Sequence, residues 1–367
     1  MEYASVSHSV TTRPLVGLPS GQSVSVAVHR YVGGAGPTVY LQATQHGIEL
    51  NGPATLRRLH EVLAPGRLAG TVVVVPVVNP LAFDHRSYIT PAAYDAQHPN
   101  LNRVWPGADD GSLQERMAAA LWPLVSTADV VVDLHTGTAD MLEHVRHFRA
   151  APEARELASV FGTAYRLTDS LDAPDTDERT DASDDAADAA DNTVGDGVAD
   201  DDLDGDTAGV DAADDDGAQQ PKRDDGTPQG TLRAAATRAG IPAITVELAN
   251  SRQVAHGAVE TGLAGIRNVL AARSLLERGP DEPPAQTVLE RDGGAVTATE
   301  SGLFELEPAV GVGDAVERGE ALGEIYSPST FEALETVRAA DDGVIYSLAR
   351  ESVVVAGERV AGIAARV

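Results

Sequence analysis

Along this chain, apolar runs that end in Gly, Pro or Asn alternate with segments whose apolar residues recur at helical spacing. Continuous apolar runs read as strands buried on both faces, and the amphipathic segments between them read as helices that cover the sheet. The pattern predicts strands over Thr38–Ala43, Thr71–Val78, Ala128–Leu134, His144–Ala150 and Ala243–Leu248. It predicts helices over Pro53–Leu63, Ser112–Ser126, Pro152–Phe161, Thr231–Ala239 and Val254–Leu276. The expected fold class is α/β: a three-layer α/β/α sandwich on a mostly parallel sheet, with functional groups at the carboxyl ends of the strands.

Two stretches break this rhythm. From Asp172 to Gln229 the chain is dominated by Asp, Ala, Gly and Thr with hardly any large apolar residue. Such a segment cannot bury enough surface to offset its ordering entropy, so a disordered acidic insertion is expected. Its DDAADAADN and DADDDG runs lack the ligand periodicity and terminal Glu of a calcium loop. After the Pro-rich GPDEPPAQ, short β-type runs with regular glycines predict a small all-β barrel or sandwich. The expected organisation is a hydrolase-type domain over 1–278, interrupted by 172–229, and a β-rich module over 285–367. The phrase VGDAVERGEALGEI resembles the hammerhead modules that carry biotin or lipoate. Those carriers attach their cofactor to a lysine, and the only lysine of this chain, Lys222, lies elsewhere.

Composition removes several function classes. The chain has 367 residues, no cysteine and a formal net charge of -29. Without cysteine there are no disulfides, thiol nucleophiles or thiolate metal ligands, so a bound metal would rest on His, Asp or Glu. A field of that sign repels nucleic acid and anionic membranes. No run approaches the roughly 18 apolar residues of a membrane helix, and the N-terminus lacks a basic region followed by an apolar one. A cytoplasmic protein is therefore expected, with the dense acidity of proteins from salt-loving microbes.

The candidate chemistry lies at two strand ends. The first strand runs into Gln45-His46-Gly47-Ile48-Glu49, where H-x-x-E spacing on an exposed turn lets an imidazole and a carboxylate meet one cation. A second apolar run, VVVDLHTG, delivers His135 to the same edge. Singly, each histidine is more often a structural residue than a ligand. Jointly, two His and one Glu with an open fourth position form a catalytic zinc arrangement, one ion per chain. Asp133 faces either away from this edge or toward a ligand that it orients. His144 and His147, three apart on a strand, should face opposite sides. His8, His29, His60, His85, His98 and His256 carry no pattern and are assigned no chemistry.

The motifs QHGIELNGP, NPLAFDHR, NLNRVWPG, DLHTG and ITVEL, in this order, resemble the succinylglutamate desuccinylase/aspartoacylase family over roughly residues 35 to 275. The resemblance implies a zinc-carboxypeptidase-like fold, hydrolysis of small N-acyl amino acids, and zinc held by His46, Glu49 and His135. It further implies that Arg86, Asn102 and Arg103 line the substrate pocket and that Glu247 is the general base. Physical reasons agree: a guanidinium fork such as Arg103 suits a substrate carboxylate, and a carboxylate on the apolar strand IPAITVEL is costly to bury without a role. The family usually has Gly two residues after this Glu, where this chain has Ala249. Candidate substrates are N-succinylglutamate, N-acetylaspartate and N-acetyl-diaminobutyrate. A carboxypeptidase or small-ester hydrolase, and a non-catalytic zinc protein that docks a partner, are the alternatives. The β module offers a surface for a homo-oligomer.

Overall fold

The runs YLQA, TVVVV and VVVDLHTG behave as the pattern requires: along Val130–Gly137 every residue is buried, and Val39, Tyr40, Leu41, Val72 and Val75 lie at or near zero exposure. Strands this apolar are stable only when covered on both faces, and the computed structural model covers them so. It describes residues 2–137, 140–171, 230–291, 295–349 and 352–367. The acidic segment 172–229 lies outside the described residues.

In chain order the elements of the sandwich begin with β1 (Ala4–Ser5), β2 (Ser7–Gly17), β3 (Ser23–Val32), β4 (Gly34–Ala43), α1 (Asn51–Leu63), β5 (Arg67–Val75) and α2 (Pro80–His85). A 3-10 turn (Leu101–Arg103) precedes α3 (Leu113–Val125), β6 (Val130–Gly137), β7 (Asp140–Met141), β8 (His144–Phe148), α4 (Pro152–Phe161) and β9 (Tyr165–Asp169). Then come α5 (Leu232–Arg238), β10 (Ala243–Asn250), α6 (His256–Ala272) and β11 (Thr287–Glu290). The order across the sheet is β11-β9-β8-β10-β6-β4-β5-β3-β2. Its central pairs β10/β6, β6/β4 and β4/β5 are parallel, whereas β8 against β10 and the edge strands β3 and β2 are antiparallel.

Helices α1, α4 and α6 cover one face, and Leu56, Leu59, Leu63, Phe161, Ile266 and Val269 pack there on the sheet. Each such side chain taken fully out of water stabilises the layer by about 1.5–3 kcal/mol. The other face is covered by α3, α5 and the 3-10 turn, through Leu101, Trp105, Met117, Leu121 and Leu232. Local signals mark the helix ends: Ser112 and Glu115 form a reciprocal capping box before α3, and Thr231 caps α5.

Sequence periodicity places these helices within a few residues and misses several smaller elements, the two-residue strands β1 and β7 and the 3-10 turn among them. The hairpin β2–β3, the short α2 and the strand β9 carry no expected element, and the strand expected to reach Val78 ends at Val75. Beyond β11 the chain forms the expected all-β structure, including a four-stranded antiparallel sheet and its own apolar core around Leu322, Ile325, Ile345 and Ile363. This region joins the main sheet directly, because β11 pairs with β9 in parallel and with the last strand, Arg359–Arg366, antiparallel. A buried carboxylate reinforces the joint: Asp169 accepts hydrogen bonds from Arg146, Arg233 and Arg291, at 3.2, 2.7 and 3.0 Å.

Candidate metal centre and active site

Three strands deliver the chemistry to one edge. At the end of β4 the backbone turns through Thr44, a β-branched residue with φ 62°, a conformation that costs about 1–3 kcal/mol and persists only where the surroundings enforce it. The enforcement is visible: Thr44 donates through Oγ1 to Pro76 O at 3.1 Å, and its carbonyl accepts from Asn79 N. The turn aims Gln45 and His46 inward, both fully buried. Gly47 then passes so close to α2 that a Cβ there would lie 2.1 Å from Ala82 O, so no other residue fits. Glu49 follows just before α1, and β6 supplies His135 from the adjacent strand.

His46, Glu49 and His135, all buried, place one donor atom each within 4.8 Å of one another. Both histidines turn Nδ1 toward the carboxylate: His46 Nδ1 is 2.8 Å from Glu49 Oε1, and His135 Nδ1 is 3.1 Å from Glu49 Oε2. Their Nε2 atoms are held from behind. His46 Nε2 donates to Asn100 Oδ1 at 3.2 Å and His135 Nε2 donates to Asp133 Oδ2 at 3.0 Å, which leaves each Nδ1 as the ligating nitrogen. Tyr88 stacks on the His46 ring at 4.1 Å. Asp133 is itself fixed by Gln42 and Gln45, at 3.0 and 2.7 Å, and Gln45 is fixed by Trp105 Nε1 at 2.7 Å.

The electrostatics of this pocket call for a cation. Burial pushes the Glu49 carboxyl up, but His46 and His135 more than reverse it and hold it at about 2. Burial lowers His135, and the carboxylates of Asp133 and Glu49 overcome this and hold the imidazole well above its ordinary range. Glu49 Oε2 is buried and accepts no hydrogen bond among the described residues, although His135 lies beside it. A carboxylate oxygen buried without a hydrogen bond between two oriented imidazoles fits a divalent metal of the zinc class.

Comparison with known proteins decides the lineage. A profile of the succinylglutamate desuccinylase/aspartoacylase catalytic domain matches residues 35–273. The chain belongs to the succinylglutamate desuccinylase/aspartoacylase family. The N-alpha-acetyl-L-2,4-diaminobutyric acid deacetylase of Halomonas elongata is 34% identical over 142 residues, which cover 36% of this chain and 40% of that protein's length. Among solved structures, the succinylglutamate desuccinylase/aspartoacylase of Rhodobacter sphaeroides superposes with a TM-score of 0.74 at 22% identity, covering 99% of this chain and 97% of that one. The product-bound ectoine utilization protein EutE (DoeB) of Ruegeria pomeroyi gives 0.73 at 22% identity, over 99% and 96%. At this identity the two structures establish the shared fold, which extends through the C-terminal β region.

The other family positions fall into place unevenly in this desuccinylase/aspartoacylase chain. Glu247, 7% exposed, lies on β10 in register with His135, so both side chains leave the same face of the sheet. Asp133, which the sequence left between two orientations, orients His135. Asn102 is buried with Oδ1 turned to the scaffold, where it accepts from Gln45 and from Leu232 N, each at 3.1 Å. Arg103, at the end of the 3-10 turn, donates through Nη1 to Asn102 O at 2.8 Å. Arg86 caps α2 with left-handed backbone, φ 57°, and an exposed side chain. Ala249 has φ 54° beside a register shift between Glu247 and Asn250. His144 and His147 each lie against a backbone carbonyl, of Leu142 and Phe148. Sequence reasoning missed Gln45 and Asn100; the NLN motif signalled the loop, but not which asparagine reaches His46.

Proposed function

We propose that this chain is a zinc-dependent deacylase that hydrolyses the amide bond of a small N-acyl amino acid, with N-acetyl-diaminobutyrate the favoured substrate. The convergence of His46, Glu49 and His135 on one buried point, with Glu247 in register beside it, carries the reading. The similarity to the Halomonas elongata deacetylase, over less than half of either chain, supports the substrate.

His46 Nδ1, His135 Nδ1 and Glu49 would hold the ion. When bound, zinc supplies Lewis acidity toward water and the amide carbonyl. Asn100 and Asp133 keep both imidazoles in the tautomer that presents Nδ1. Glu247 takes a proton from the attacking water and returns it to the departing amine. Arg103 binds the substrate carboxylate through its guanidinium, whose Nη1 contact with Asn102 O sets its direction. Arg86 and Asn102 border the same pocket, Arg86 from the loop after α2 and Asn102 as part of its wall.

Metal analysis of the purified chain, combined with hydrolysis assays on N-acetyl-diaminobutyrate, N-acetylaspartate, N-succinylglutamate and a small ester, tests this. The expected result is one zinc at this centre and turnover of N-acetyl-diaminobutyrate above the others. A chain that binds zinc and an N-acyl amino acid yet releases no amine is a binding protein, and the proposal fails.

A further inference from the structure

Far along the sheet from the active site, three histidines that no sequence motif links come together. β2 and β3 pair antiparallel with His8 opposite Tyr31 and Val10 opposite His29, so His8, His29 and Tyr31 share one face of the hairpin. His60, in the last turn of α1, meets that face: its ring centroid is 4.9 Å from His8 and 6.4 Å from His29. His8 Nε2 lies 3.2 Å from His29 Nδ1, and the three side chains offer donor atoms within 4.8 Å of one another. We propose that His8, His29 and His60 form a second metal site, which takes a zinc-class divalent ion and ties the N-terminal hairpin to α1.

Several observations carry this beyond a surface cluster. Two nitrogens each about 2.0–2.1 Å from a tetrahedral ion stand about 3.3 Å apart, close to the His8–His29 separation. A hydrogen bond between His8 and His29 would explain that pair alone, whereas the third ring is brought in from a different element and braced there: the Tyr31 hydroxyl lies 2.8 Å from His60 Nδ1, and the Tyr31 ring stacks on His8 at 4.5 Å. Partners that orient a histidine ring from behind are characteristic of metal ligands. Burial and the neighbouring His60 pull His8 below its ordinary value; burial, His8 and His60 do the same to His29. All three donors are imidazoles, which suit zinc, copper and nickel and exclude the calcium and magnesium class. The rings are half-buried, so water would complete the coordination, and among the described residues no carboxylate joins the group to act as a base. The site is therefore a structural clip. His8 and His29 precede the segment matched by the family profile, and His60 lies within it.

The test uses the full chain, stripped with a chelator and titrated with zinc against a chromophoric competitor. Wild type is compared with His29→Gln and His60→Gln, each checked for native circular dichroism, and His8→Gln replaces either variant that fails to fold. The expected result is one zinc fewer per chain in each variant, with hydrolysis per bound active-site metal unchanged and with the zinc-dependent rise in Tm reduced. The readout is the difference between chains, so it stands whatever the centre at His46 binds. Equal stoichiometry in wild type and either variant overturns the proposal.

Discussion

Among the described residues, two groups of three side chains bring their donor atoms within 4.8 Å of one another, and their surroundings could hardly differ more. The His46–Glu49–His135 group is sealed, contains an anion, and both its imidazoles are gripped from behind, His46 by Asn100 and His135 by Asp133, which Gln45 fixes in turn. The His8–His29–His60 group is half-exposed, all imidazole, and braced by one tyrosine, whose hydroxyl meets His60 and whose ring stacks on His8. Proximity of donors permits metal binding in both. On the function proposed above, only the first becomes a place for chemistry, because low dielectric strengthens every charge there and the carboxylate of Glu247 stands in register with His135.

The comparison can be broken most severely at the first centre. Glu49→Gln removes the anionic ligand, so one zinc per chain should be lost from this centre and turnover should fall to background in a metal-stoichiometry and activity assay. The same loss with zinc retained would move the metal elsewhere. Glu247→Gln keeps size but not basicity; zinc should stay bound while kcat drops by about 100-fold or more, the range of a positioned acid-base group. Should this variant shed its zinc instead, the two glutamates exchange roles.

Asp133→Asn leaves all three ligands in place but weakens the grip on His135. Zinc affinity should fall by about 10–100-fold in a competition titration. An unchanged affinity would mean that the polar network behind the ligands is scaffolding alone, and that the two groups differ less than their surroundings suggest.

Smaller effects probe how far the first centre depends on its frame. Asp95 accepts from the backbone N–H groups of Gln97, His98 and Gln114, at 3.2, 2.9 and 3.0 Å, and so anchors the loop that presents Asn100. Burial raises its pKa, and these hydrogen bonds with that of Ser112 outweigh it, leaving the group below its ordinary 3.8. A depressed carboxyl stabilises the fold above the unfolded value, and that stability is lost as pH falls below about 3.8 through the folded one. Asp95→Ala should cost about 1–3 kcal/mol in urea unfolding at neutral pH, and the variant should lose part of the wild type's acid sensitivity. Smallest of all, Ala249→Gly should stabilise the chain by about 1 kcal/mol, since glycine holds φ 54° without the Cβ penalty. A destabilised variant would show that the alanine methyl packs usefully against the core.

Much of the architecture was legible before any coordinates, because long apolar runs and helical periods report burial locally. The helix expected over Pro152–Phe161 has those bounds, and those expected around α3 and α5 differ only by their capping residues. The hairpin β2–β3 was not legible: as an edge ribbon wet on one face, it mixes Ser, Thr and Val without a continuous apolar run. Likewise β9, only five residues long, earns its place by pairing with β8 and β11.

The catalytic candidates follow the same division. His46, Glu49 and His135 could be named from the chain because strand ends are local features, and because parallel neighbours deliver their ends to one edge whatever the details between. Which nitrogen each imidazole presents and that Asn100, not Asn102, backs His46 were decided by side chains 54 residues apart; Asp133 and His135, two apart on one strand, share a face by the pleat itself, and the structure adds the hydrogen bond between them. His8, His29 and His60 had no sequence signal at all, since strand register and the seating of α1 on the sheet bring them together. Periodicity along the chain determines what each segment must bury; which distant polar groups then share a pocket depends on register and layer packing, and those exist only once the chain has closed on itself.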